Sequence, residues 1–318
     1  MFTLDNYKFN SEDLAIIIPT KDRPLELKRI LSSIVELDCK VGRVIVVSSG
    51  INVEELLKKF TKFITIEFYQ SEPGQIKQRN LGISKLTNST KLVATMDDDA
   101  VFLKNSVSEM IKFWNSVDTN TAGVGFNVIN QKPHNHSWFK GLIGVSVSDP
   151  GKVLKCGRNT KISNVIQDIN TEWLNGGGTV WKQSILQENE HKEINSRWAV
   201  YEDLIYSYSI GKKNNLYVSN RSKIRIDDKK DDDENYLSNY YKGKTQFLWK
   251  LYFINQHKNL SLLLHLYSEF IHVLHHLFIG VIKPHKIFWG LGIINGMVLL
   301  LLLLKKGQSI IKLIEENT

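Results

Sequence analysis

The chain has 318 residues, 42% hydrophobic and 23% charged, which excludes a disordered polypeptide and allows one large α/β domain plus an accessory region. Its formal charge of +8 suits nucleic acid, anionic headgroups or phosphate-bearing substrates, but no arginine-rich helix, zinc-finger spacing or RNP-like aromatic strand is present, so nucleic acid is set aside. The two cysteines, Cys39 and Cys156, make no disulfide framework and fit a reducing compartment. The first residues lack a basic stretch followed by a long apolar one, so no secretory signal is expected and the bulk of the chain is placed in the cytoplasm.

Residues 14–18 form a strand-sized apolar run, and Pro24 then opens a helix carrying Leu27, Ile30, Leu31, Ile34 and Val35 on one side. Residues 44–47 predict a second strand, 54–60 a helix, 63–69 a third strand and 75–86 a helix. Residues 92–96 predict a fourth strand that stops at three aspartates, followed by a helix over about 106–114 and a strand over 123–129. Short apolar strands alternating with helices indicate a parallel sheet covered on both faces, with ligands bound beyond the carboxyl ends of its strands. Residues 131–170 are irregular, as in a disordered loop or a substrate lid. A helix over 202–210, a strand over 216–218 and a solvated charge run, DDKKDDDE, complete a domain placed at residues 1–235.

Residues 236–318 change character and read as a helical, membrane-associated region. Residues 260–282 are apolar but interrupted by His265, Glu269, His272, His275 and His276, whereas 287–304 hold no charge and are bracketed by Lys283, Lys286, Lys305 and Lys306. If both segments spanned, the short KPHK loop would lie outside, against the positive-inside tendency, so an interfacial arrangement is at least as well supported. His265, Glu269, His272 and His276 share one helical face, read as a polar side that meets headgroups or the catalytic domain. Gly292 and Gly296 permit helix pairing, although the spacing is common by chance, and a homodimer is left open separately. His134 and His136 read as loop polars, and Tyr240, Tyr241, Trp249 and Tyr252 as packing or an interfacial aromatic belt.

The strongest chemical signal is Asp97–Asp98–Asp99 at the end of a buried strand. Three adjacent carboxylates repel one another, and hard divalent cations such as Mg2+ or Mn2+ both relieve that repulsion and bridge carboxylates to substrate phosphates. Pro19, Thr20, Asp22 and Arg23 follow the first strand, where a nucleoside fits, and Ser48 and Ser49 follow the second. Gly74 and Gln75 open a helix whose amide end, with Arg79, suits a diphosphate. Each is an ordinary cap taken singly, and their shared position after successive strands makes the case.

The order PTKDRP, VIVVSSG, GQIKQRNLG, MDDDA, WLNGGG and YEDL resembles the family 2 glycosyltransferases over roughly residues 14–220. That resemblance implies a GT-A fold, a Rossmann-like mixed sheet flanked by helices, and an inverting transfer from a nucleoside-diphosphate sugar, with UDP as the first expectation for the nucleotide. It implies Asp97 and Asp98 at the donor, Asp97 on the ribose, and Asp99, with Asp97 beside it, on the metal. It places Glu202 and Asp203 at the acceptor, Asp203 as the base, with Trp173, Gly176, Gly177 and Gly178 lining that side. Ser48 and Ser49 stand where the family often has an acid reading the nucleobase, so the base is left open. Arg225–Ile226–Asp227–Asp228 stand where many members carry a metal-binding histidine, which leaves the third ligand open. The residue types suit the reaction independently, because a carboxylate-held metal stabilises charge on the departing diphosphate and a positioned carboxylate takes the acceptor's proton. The implied acceptor is a lipid-linked or polysaccharide hydroxyl at the cytoplasmic face of a membrane. A sugar nucleotidyltransferase and a non-catalytic membrane-bound binding protein of the same fold are the competing readings.

Overall fold

The computed structural model describes residues 9–136, 138, 141, 143–196, 200–227, 235–306 and 309–318. It divides into two compact units, one drawn from Met1–His134, Lys161–Glu193 and Tyr206–Asp228, the other from Asn135–Thr160, Ile194–Ile205 and Lys229–Thr318.

The first unit opens with β1 (Leu14–Lys21), α1 (Pro24–Val35), β2 (Arg43–Ser49), α2 (Glu54–Lys58), β3 (Ile66–Gln70), α3 (Gln75–Ser84) and β4 (Leu92–Met96). Then come β5 (Ala100–Phe102), α4 (Ser106–Ser116), β6 (Thr121–Val128), β7 (Ile169–Thr171), β8 (Gly178–Lys182) and α5 (Gln183–Glu188). The helix α6 (Glu202–Gly211) starts in the second unit and ends in the first, ahead of β9 (Asn215–Ile226). The sheet runs β3-β2-β1-β4-β8-β6-β9-β5, with β7 paired to β9.

Pro24 supplies a preset φ and no orphaned donor at the first position of α1, whose Leu27, Ile30, Leu31 and Ile34 are buried. They join Ile16 and Ile18 of β1 and Val44 and Val46 of β2 in one core, each aliphatic side chain contributing about 1.5–3 kcal/mol on burial. The sheet is mixed rather than wholly parallel: β1, β2, β3 and β4 run parallel, but β8 pairs antiparallel with both β4 and β6. Asp97 accordingly lies where β4 leaves the sheet beside the incoming end of β8, with Met96 opposite Gly178. Residues 143–168 are tied down rather than loose. A bridge joins Val153 to Asn159, the Leu154 amide donates to the Arg158 carbonyl at 2.8 Å, and Asn127 donates to the Val165 carbonyl at 2.8 Å.

In the second unit α7 (Tyr236–Gln256), α8 (Leu262–Gly280), α9 (His285–Lys306) and α10 (Ile310–Asn317) surround a core that includes Phe247, Trp249, Leu251, Ile293 and Leu313. Asn235 and Ser261 cap α7 and α8 by accepting from the Ser238 and Leu264 amides. Gly292 and Gly296 are consumed inside the chain. A Cβ on Gly292 would stand 2.0 Å from the Tyr240 carbonyl oxygen, and one on Gly296 would stand 2.6 Å from the Phe247 ring. That stripe is the seat of α7 on α9, so pairing with a second copy is not its use here.

The histidine-bearing face of α8, read as meeting headgroups or the catalytic domain, is instead buried against residues of its own unit. His265 and Glu269 are fully buried, and Lys250 Nζ of α7 lies 2.7 Å from Glu269 Oε1 with both side chains 1% exposed. Arg158 approaches the same oxygen at 3.7 Å, and His272 Nδ1 lies 3.3 Å from Oε2. A carboxylate cannot be buried without such partners, so the polar side of α8 turns inward toward them.

Candidate active site

The carboxyl ends of β1, β2 and β4 lie side by side, with Thr20 opposite Ser48 across β1 and β2. Buried Gln78 of α3 crosses these ends, donating to the Thr20 carbonyl at 2.7 Å and the Val47 carbonyl at 2.8 Å. It fixes the start of α3 against the sheet. Nothing in its sequence context separates it from any helical glutamine.

The three aspartates take three different environments. Asp97 Oδ1 accepts from Gln75 Nε2 at 2.8 Å and from an Arg79 guanidinium nitrogen at 2.9 Å; Arg79 is 3% exposed and Asp97 36% exposed in their side chains. The helix start, its arginine and the first aspartate are therefore one cluster. Asp98 turns inward, accepting from Thr20 Oγ1 at 2.7 Å and from Arg23 at 2.7 Å. Burial pushes its carboxyl up to about 6 against the opposing pull of Thr20 and Arg23, with Asp99 and Asp97 adding to the rise. Asp99 Oδ2 lies 3.5 Å from Arg23, and its carbonyl accepts from the Asp227 amide at 2.9 Å. The Asp227 carboxylate itself is paired with Arg29 at 3.0 Å; Asp228 lies outside the described residues.

The loops around this turn are fixed by backbone contacts. Asp22 has φ 55° and accepts from the Ile51 amide at 3.0 Å, its carboxylate folded over Gly50. Gly50 has φ 82°, and a Cβ there would lie 2.0 Å from Asp22 Oδ1, so glycine is required on both counts. Ser48 is buried, its hydroxyl donating to the Ile51 carbonyl at 3.3 Å. Gly177 backs Asp97 in the same way: a Cβ there would lie 1.9 Å from Asp97 Oδ2. Trp173 is buried, and the loop through Gly176 is held by Ser207, which accepts from the Leu174 amide at 2.9 Å.

Glu202 and Asp203 belong to the second unit, in the acidic first turn of α6. Glu202 is buried and Asp203 half-buried. Tyr201 just before them has φ 68°, an uncommon conformation for a bulky residue and the kind of strain that gathers at functional positions. A residue with no distinguishing sequence signal, His191, stacks on Tyr206 at 4.5 Å, while Asn80 of α3 donates to its carbonyl at 2.9 Å. Burial, and then the charge of Arg79, draws the imidazole down to about 3, so it is neutral beside the Asp97–Arg79 cluster.

Among the described residues no group of three or more His, Cys, Asp or Glu side chains is arranged to hold a metal ion. The carboxylates of this turn are of the oxygen-donor type that a hard divalent cation takes when a diphosphate and water supply its other ligands. Asp97 and Asp99 sit in one tight turn closed by the Ala100 amide on the Asp97 carbonyl at 3.1 Å, and Gly177, lacking a side chain, makes room for the Asp97 carboxylate. Asp98, committed to Thr20 and Arg23, is a brace for the turn.

The model of glycosyl transferase family 2 matches residues 15–171. Among solved structures, the mannosyltransferase PcManGT from Pyrobaculum calidifontis, in complex with GDP-Man and Mn2+, aligns with a TM-score of 0.53 at 11% identity, covering 94% of this chain and 77% of that one. S. aureus TarS aligns with a TM-score of 0.51 at 13% identity over 87% of this chain, which spans 54% of the length of that TarS chain. The TarS 1–349 structure aligns with a TM-score of 0.51 at 12% identity, covering 93% and 92% of the two chains. No curated protein sequence matches the chain. The mixed sheet flanked by helices is that of GT-A glycosyltransferases, and with the family model over residues 15–171 it supports a family 2 glycosyltransferase.

Proposed function

We propose that the protein transfers a sugar, with inversion, from a nucleoside-diphosphate donor to a hydroxyl of a lipid-linked or polysaccharide acceptor at the cytoplasmic face of a membrane. The observation that carries this reading is the cluster at the carboxyl end of β4, where Asp97 meets Gln75 and buried Arg79 and is backed by Gly177. A start of a helix with an arginine one turn in is suited to a diphosphate. The donor in the PcManGT complex, GDP-Man with Mn2+, belongs to the same chemical class.

In this reading Pro19, Thr20, Asp22, Arg23 and Ser48 enclose the nucleoside, Asp97 and Asp98 order the donor side, and Gln75 and Arg79 face the diphosphate. Asp97 and Asp99 hold Mg2+ or Mn2+, which when bound neutralises charge on the diphosphate. Arg79 is fixed before substrate arrives, so its stabilisation of a departing phosphate needs little reorganisation. Trp173, Gly176 and Gly177 form the acceptor side. Asp203, with Glu202 beside it, takes the hydroxyl proton as that oxygen attacks the anomeric carbon. One base and one displacement invert that carbon.

The test is release of nucleoside diphosphate from a panel of sugar nucleotides with Mn2+, and NMR of the anomeric linkage formed. Inversion, and abolition of transfer by Asp99→Ala and by Asp203→Ala, are the expected results. Full activity in either variant removes that residue from the mechanism. Pyrophosphate release from a nucleoside triphosphate would establish a nucleotidyltransferase instead.

A further inference from the structure

We infer that the second unit docks in the plane of an anionic membrane leaflet through the outer faces of α8 and α9, and that neither helix crosses the bilayer. The inference rests on the membrane placement proposed above and gives it a surface and a partner.

At about 100° per residue, Leu263, Phe270 and Phe278 fall on one side of α8, and His265, Glu269 and His272 on the other. The apolar side faces out, with Leu263 79%, Phe270 55% and Phe278 77% exposed, whereas His265 and Glu269 are fully buried. This reverses a water-facing amphipathic helix. The clasp of Lys250 and Arg158 on Glu269 holds the polar side inward, so the outward aspect is fixed. Leu291, Val298 and Leu301 of α9 are exposed as well. Exposed apolar side chains in this number on two neighbouring helices mark contact with a partner or a membrane.

Charge selects the membrane. Val281 and Ile282, 83% and 82% exposed, project at the turn between the two helices, directly beside Lys283 and Lys286. The sequence closes the apolar run of α9 with Lys305 and Lys306. Apolar tips flanked by lysines match hydrocarbon beneath anionic headgroups.

Both helices are long and apolar enough to cross a bilayer. Their packing opposes it. α7 meets α9 at Gly292 and Gly296, the middle of α9, where a spanning helix would reach the bilayer centre. Crossing would carry α7 into hydrocarbon with Lys244 and Lys250, and would put Glu269, the middle of α8, at the same depth. Lying in the plane keeps these charges inside the protein and immerses only the outer faces.

The test uses the full chain and vesicles of phosphatidylcholine with or without phosphatidylglycerol. Flotation with the anionic vesicles, weakened by salt, is expected. The variant Phe278→Glu/Val281→Glu/Ile282→Glu should lower the vesicle-bound fraction roughly tenfold or more, with sugar-nucleotide turnover in detergent unchanged. Fluorophores attached through Leu263→Cys, Phe270→Cys or Phe278→Cys, in a Cys39→Ser/Cys156→Ala background, should be quenched by brominated lipids at one shallow depth. A depth maximum at position 270 would overturn the in-plane arrangement. Absence of flotation would overturn membrane docking, as would a triple variant that turned a sedimenting dimer into a monomer without ever changing flotation. Sugar-nucleotide turnover is read separately, so a failed transferase reading is distinguishable from a failed docking surface.

Discussion

The Glu269 clasp allows a quantitative test with unequal arms. Glu269 is the shared acceptor of Lys250 at 2.7 Å, Arg158 at 3.7 Å and His272 at 3.3 Å, so removing it leaves Lys250 buried without its carboxylate. Breaking a buried pair in this way costs about 3–5 kcal/mol, which is the value expected for Glu269→Leu. Removing Lys250 is different, because Glu269 keeps Arg158 and His272; Lys250→Met should cost only about 1–3 kcal/mol. The double variant replaces the pair by apolar groups of similar size and should be more stable than Glu269→Leu alone, giving a coupling of roughly 1.5–3 kcal/mol between the sites. Guanidinium unfolding in a fixed concentration of mild detergent, followed by tryptophan fluorescence, reports it, since Trp249 is buried next to Lys250 in the same unit. Equal costs for the two single variants, or additivity in the double, would refute the reasoning that the carboxylate is the hub.

Asp98 predicts a pH signature. Its folded carboxyl is raised to about 6 by burial, against an ordinary value near 3.8, so it contributes stability below about pH 4 that is lost as pH rises through 6. Asp98→Asn removes that loss, so its stability relative to wild type should improve by about 2–3 kcal/mol between pH 4 and 7; a flat difference across the range in chemical unfolding would contradict the shift. Gly177→Ala should displace Asp97, whose Oδ2 a Cβ would meet at 1.9 Å, and reduce diphosphate affinity by tenfold or more (about 1.4 kcal/mol) with the far-ultraviolet circular dichroism unchanged. Unaltered affinity would show that Asp97 is not held by that loop. Gly292→Leu forces a side chain against the Tyr240 carbonyl and should cost at least about 1–3 kcal/mol in the helical unit, read by the same unfolding assay.

The first half of the fold was legible because its signals are local. The continuous apolar runs of β1, β2 and β4 and the proline-started α1 need no distant partner to declare themselves, and the aspartates at the end of β4 mark a candidate site by their repulsion together with their strand-end position. β8 was missed because its five residues, Gly178–Lys182, are recognisable as a strand only once β4 and β6 stand on either side. The differing fates of Asp97, Asp98 and Asp99 could not be read from adjacency, since they depend on Thr20, Arg23 and Arg79 from other elements. The same holds for α8. Its histidine face has the spacing of a polar side suited to headgroups or the catalytic domain, but Arg158, 110 residues from the Ser268 it also contacts, and Lys250 draw it into its own unit. Pattern gives the faces of a helix, and only the partners decide which one is buried.

The measurement closest to the heart of the account is calorimetric titration of nucleoside diphosphates, UDP and GDP among them, into the full chain with and without Mn2+. One diphosphate should bind tightly only when the metal is present, and Asp99→Asn should weaken that binding at least tenfold (about 1.4 kcal/mol) without lowering thermal stability. Metal-dependent binding that survives Asp99→Asn undiminished, or no diphosphate binding in the presence of Mn2+, would contradict the assignment of this turn as the donor site.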